Sequence, residues 1–193
     1  MELLMHPCDS HGKFSSFICE LLNMEPRIRL YPLHGDVTHD CGFIVKHEHI
    51  YIPWAQPAVE HELSHLVELN SSRRWTMTDW GMPRFEVGGI SAPRIFAALA
   101  RETRVRALQR HLMTFKNDQE LQDSWVWNQC NNPYWEQMVR RNLPFGRFRD
   151  YQDVTMWIRD LHEKVYRAWS QDRIRHEWTV RLEHIQNWME TAT

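Results

Sequence analysis

His61 and His65 stand four residues apart in the run His61-Glu62-Leu63-Ser64-His65. Two imidazoles at i and i+4 of a helix project from one face about a turn apart, so their free ring nitrogens can converge on one cation. A glutamate directly after the first histidine lies about 100° further round the helix, outside that chelate but placed to hold a water at the metal and act as general base. The chemistry this spacing specifies is zinc-assisted hydrolysis, with His61 and His65 as ligands and Glu62 as the base. With 12 histidines in 193 residues, such a pattern arises by chance in about 5% of shuffled chains, so its surroundings decide its weight.

Those surroundings are selective. Projecting Ala58 to Leu69 onto a helix puts Val59, Leu63, Leu66 and Val67 on one arc and His61, Glu62, His65 and Glu68 on the opposite one. The apolar arc would anchor the helix while the polar arc gathers the chemistry. The competing reading is a solvent-facing His/Glu stripe that binds metal only adventitiously.

The elements that must position this helix follow from periodicity. Phe17, Ile18, Leu21 and Leu22 predict a short helix over Ser15 to Met24, ending before Pro26. Arg27–Tyr31 and His49–Ile52 alternate polar and apolar residues, and Gly42–Val45 is a continuous apolar run; these predict three short strands, the last two joined as a hairpin. The motif helix opens at Gln56-Pro57, where proline is tolerated in the first turn, and runs to about Asn70. A Gly/Pro/Trp-rich loop spans Ser71 to Gly89, and Ser91 with Pro93 opens a helix to about Met113. From Asp118 onward three more helices are predicted, broken near Asn131–Pro133, Leu143–Gly146 and Ser170–Asp172. The order predicts an α+β domain: a small sheet of about three strands, then a predominantly helical C-terminal part. One domain over 1–193 is the expectation, with the first helix and sheet in 1–56, the metal-site helices in 57–116 and a Trp-rich helical part in 117–193.

His61-Glu62-Leu63-Ser64-His65, preceded by a hairpin and followed by helices, resembles the zincin metallopeptidases over about Tyr31 to Met113. The resemblance implies a peptide or protein substrate paired to an edge strand before the motif helix, here Tyr51 and its neighbours. The metzincin continuation needs Gly and a third His where this chain has Glu68 and Ser71. The gluzincin arrangement takes a glutamate from a later helix. Glu102 answers to it: it lies among Ile95, Ala98, Leu99 and Val105, an acid in a largely apolar stripe that needs a compensating partner. That partner is either a metal or Arg106 at i+4. Glu86 in the Gly/Pro-rich loop is the rival ligand, Asp79 is a further candidate, and Glu68 is expected to support a ligand histidine. Three protein ligands would leave zinc an open position for water, with Glu62 passing the proton to the leaving amine. Arg104, Arg106, His111 and Tyr134 are candidate donors to the developing oxyanion.

The rest of the sequence bounds the class. Apolar residues make up 42% and charged residues 25%, as in ordinary globular chains. No basic leader and no long apolar run is present, and Cys8, Cys19, Cys41 and Cys130 form no C-x-x-C pair, so a cytoplasmic protein without a membrane span is expected. Net charge is −2, which sets up no field for nucleic acid. Arginines crowd the second half, Arg140 and Arg141 among them, but acids such as Glu136 and Asp150 interleave them, so they read as solvated helix faces. The ten tryptophans are expected to fill gaps between helices rather than to stack on bases. His47 and His49 in the hairpin, with His34 and His39, could form a second metal site but read first as polar surface near turns, and His111, His162, His176 and His184 lack a matching partner at ligand spacing. A hydrolase of another bond would use the same apparatus. The alternative from another class is a non-proteolytic regulatory or nucleic-acid-associated protein on a zincin scaffold.

Overall fold

The computed structural model describes residues 15–24, 59–68, 91–113, 135–180 and 183 with their side chains, and backbone alone at 28–32, 44–46, 49–54, 58, 133–134, 181–182 and 184–191. The chain divides into two compact units. One comprises Met1–Ser71, Leu112–Thr114 and Gln171–Thr193; the other comprises Ser72–His111 and Phe115–Ser170.

In the first unit, α1 (Ser16–Asn23) begins where the Ser15 hydroxyl accepts from the Ile18 amide at 3.2 Å, a side-chain cap on an otherwise orphaned N–H. The same hydroxyl donates to the Leu112 carbonyl at 3.1 Å. Phe17, Ile18, Leu21 and Leu22, spaced to share a face, are all buried. Against them lies α6 (Gln171–Thr191), whose Trp178 is fully buried and donates its indole N–H to the Leu21 carbonyl at 2.9 Å. Burial removes a large apolar ring from water, and the bond spares the indole N–H an unmet donor. Arg175, one turn before Trp178, spans Glu20 with Nε and Nη2 and holds Asp172 at 2.7 Å. The motif helix α2 (Ala58–Glu68) packs against α6 and against β3 (His49–Trp54).

In the second unit, α3 (Ala92–Leu112) starts where the Ser91 carbonyl accepts from the Arg94 and Ile95 amides. Its Ile95, Phe96, Ala98 and Leu99 pack with Trp135 and Val139 of α4 (Pro133–Arg141), with Phe148, and with Val154 and Ile158 of α5 (Tyr151–Ala168). Phe96 stacks on Phe145 and Phe148, with ring centroids 4.9 and 5.0 Å away. Those two rings are brought together by a tight turn in which Phe145 and Phe148 exchange backbone hydrogen bonds of 3.0 and 2.9 Å. Gly146 supplies the left-handed residue this turn needs, with φ of 55°. Helix α5 then opens on a reciprocal cap between Asp150 and Asp153.

The expectation of an α+β domain is corrected: the protein is mostly helical. Of the residues described with side chains, 83% are helical and none lies in a strand. Extended backbone pairing is limited to β1 (Ile28–Pro32), β2 (Ile44–Lys46) and β3, in the order β1-β3-β2. Strands of five, three and six residues are dwarfed by helices of 21, 18 and 21. The side chains seen packing come from helices and one tight turn, as in Trp178 on α1 and Phe96 between α3 and the 145–148 turn. The strand that carries Tyr51 is also not an edge, since β3 pairs in parallel with β1 and antiparallel with β2, Tyr51 opposing both Arg29 and Ile44. Among the described residues no helix is long and apolar enough to cross a membrane.

Candidate metal centre

Helix α2 is buried on every side. Val59, Leu63, Leu66 and Val67 are at most 1% exposed, but Glu60, His61, Glu62, Ser64 and His65 are also buried, none above 7%. The polar arc expected from the sequence is therefore an interior surface, not a solvated one. Burying a polar arc carries a desolvation cost that each group must recover locally. Ser64, a poor helix former, turns its hydroxyl onto the Glu60 carbonyl at 2.7 Å, the usual back-bond of a mid-helix serine.

The two histidines converge. Nε2 of His61 and Nε2 of His65 lie 3.1 Å apart, and the rings meet edge to face with centroids 4.6 Å apart and planes at 88°. Two nitrogens at about 2.05 Å from a tetrahedral zinc are separated by about 3.3 Å, so the pair needs almost no adjustment to share a cation. Glu62 follows His61 on the helix and is 3% exposed.

Glu102 is buried on α3 in the second unit, where the sequence placed it as an acid in an apolar stripe. Thr103 beside it repeats the Ser64 device, its hydroxyl bonded to the Leu99 carbonyl at 2.7 Å. Arg106 and Gln109 further along α3 are buried as well.

Other residues singled out from the sequence fall elsewhere. Glu86 and Asp79 lie outside the described residues, as do the side chains of Tyr51, Tyr134, His34, His39, His47, His49 and His184. Glu68 and Arg104 are half-buried. His111 is taken up by α5: its Nε2 lies 3.0 Å from the Tyr166 carbonyl and its ring stacks on the Tyr166 ring at 4.4 Å. Burial, and then the neighbouring Arg110, lower its pKa, partly offset by the Tyr166 bond. His162 is packed inside the second unit with its pKa pushed down to about 4, chiefly by burial and secondarily by Arg110. His176 is exposed.

Two groups escaped the sequence reading. Glu60 is 1% exposed, yet the helical projection assigned it to neither arc. The signal was its i,i+4 relation to Ser64, an uncharged residue on the same face. His162 was set aside as lacking a ligand partner, and its burial beside Arg110 and Glu163 could not be read from a single helix.

No protein-family model matches the chain, and neither a curated protein nor a solved structure matches it.

Proposed function

We propose that the protein is a zinc-dependent metallopeptidase of zincin type, with His61, His65 and Glu102 as protein ligands and Glu62 as general base. The observation that carries this reading is the 3.1 Å approach of the two imidazole nitrogens on a buried helix. Two imidazoles and one carboxylate are a donor set that zinc accepts with one position left open.

Zinc held there would supply a Lewis acid that polarises a peptide carbonyl and makes water nucleophilic near neutral pH. The chain's own part is positional and protonic. The helix fixes both imidazoles through four flanking apolar residues, and the Glu62 carboxylate takes a proton from the attacking water and returns it to the leaving amine. A cytoplasmic setting is proposed with it, since the four scattered cysteines would there remain thiols.

The test is Glu62→Gln in the full chain, assayed on a library of quenched fluorescent peptides and for zinc content. The reading expects zinc to remain bound while hydrolysis falls by about a hundredfold or more. Hydrolysis at the wild-type rate would remove Glu62 from the chemistry.

A further inference from the structure

The net charge of −2 conceals an uneven division. Lys and Arg number 7 against 14 Asp and Glu in the first unit and 16 against 11 in the second, so with histidines neutral the first carries −7 and the second +5. A compact body with a surplus of one sign draws partners of the other, and a basic surplus confined to one part of a chain points to a polyanion such as nucleic acid.

Part of that surplus gathers between α4 and α5, where Arg140, Arg141, Arg147 and Arg149 are all exposed. The tight turn sets this up: Phe145 and Phe148 stack on Phe96, and Gly146 with its left-handed φ leaves Arg147 outside. The Arg147 guanidinium lies 5.2 Å from the centre of the Phe148 ring and that of Arg140 lies 4.6 Å from the centre of the Tyr151 ring. Stacking restrains the guanidinium plane and leaves N–H groups at its edge for an anion. The acids that interleave these arginines in sequence are engaged elsewhere. Asp150 accepts from the Asp153 amide, and Asp153 accepts from the Arg149 and Asp150 amides. Glu136 pairs with Arg140, and among the described residues no carboxylate pairs with Arg141, Arg147 or Arg149.

We propose that residues 140–149 are a docking site for the phosphate backbone of a nucleic-acid duplex, with Arg141, Arg147 and Arg149 each neutralising a phosphate. Guanidinium forks match phosphate oxygens in geometry as well as charge. The rings at this site are already used, Phe148 being buried and Tyr151 covered by Arg140, so unpaired bases gain no stacking platform and a duplex with its phosphates outermost fits better. A membrane surface fits less well, because among the described residues of the second unit the exposed large apolar side chain is Met156 and an interfacial anchor needs several. Contacts to phosphate fix position without reading bases, so binding is insensitive to sequence and sensitive to salt. The site lies wholly within the second unit and is independent of the zinc reading.

The test is fluorescence anisotropy of a labelled DNA duplex of about 20 base pairs, titrated with the full chain between about 50 and 200 mM salt. Wild type is compared with Arg141→Ala/Arg147→Ala/Arg149→Ala and with the corresponding triple lysine variant, and circular dichroism follows the fold. The alanine variant should bind about tenfold or more weakly and lower the slope of log K against log salt by about 2–3, while the lysine variant keeps the slope. No binding by the wild type, or equal binding by wild type and alanine variant, overturns the proposal. So does tighter binding of polyglutamate, of vesicles containing anionic lipid, or of a single strand of the same length than of the duplex. If the alanine variant does not fold, Arg141→Glu decides by the same change in slope. Each of these failures leaves the zinc site standing.

Discussion

Nε2 of His61 faces Nε2 of His65 at 3.1 Å. In neutral imidazoles one of these nitrogens donates and the other accepts, so the pair is compatible as it stands; protonating both would set two donors against each other. A cation would replace that single shared proton with two ligand bonds.

The first prediction concerns zinc and stability together. A ligand that binds only the folded state stabilises it by mass action, by about 2.7 kcal/mol at a hundredfold excess over Kd. Zinc should therefore raise the urea midpoint of the wild type, and His65→Ala should abolish that increment. A rise of equal size in His65→Ala would assign the metal to other residues.

Acid should weaken the second unit through His162. Its folded pKa is about 4 against an ordinary value of 6.5, so between those values the unfolded chain binds the proton more readily. Stability from keeping this histidine neutral is complete above pH 6.5 and is lost as pH falls toward 4, an effect of about 3 kcal/mol at most. His162→Gln should flatten the dependence of the urea midpoint on pH between 7 and 4.5. An unchanged slope in that variant would mean that other groups govern the acid limb.

Phe96→Ala should cost about 3–5 kcal/mol, because it removes the ring that Phe145 and Phe148 stack upon and leaves a cavity the turn cannot fill. Denaturant titration reads this directly. A loss below about 1 kcal/mol would show that the turn collapses onto α3 without the ring.

Arg140 and Arg141 are exposed at the end of α4, and Arg140 is already paired with Glu136 at 2.7 Å. Replacing both by alanine should leave peptide hydrolysis and zinc uptake at wild-type levels, with a stability change within about 0.5 kcal/mol. A biological effect that disappears with these two arginines but survives Glu62→Gln would favour the nucleic-acid-associated alternative.

The approach of His61 to His65 was legible in the sequence because it is local. The i,i+4 spacing of His61 and His65 fixes their common face wherever the helix sits, and Glu102 stood out as an acid in an apolar stripe. The helix starts at Ser15, Ser91 and Pro133 and the breaks near residues 143–146 and 170 were readable from caps, Pro, Gly and polar turn residues for the same reason. Fold class was misread because alternation in Arg27–Tyr31 and His49–Ile52 says that a segment can be extended, not how much of the domain it organises. The core depends on distant partners, such as Trp178 reaching the Leu21 carbonyl, and no local pattern encodes that pairing. The burial of Glu60 and His162 was hidden likewise, since each is enclosed by more than its own helix.

The most direct test of the account is zinc stoichiometry of the purified chain by elemental analysis, before and after dialysis against zinc, for wild type and His61→Ala/His65→Ala. The account expects one equivalent in the wild type and none retained in the double variant. Less than about a tenth of an equivalent in the wild type, with no uptake on adding zinc, would contradict it.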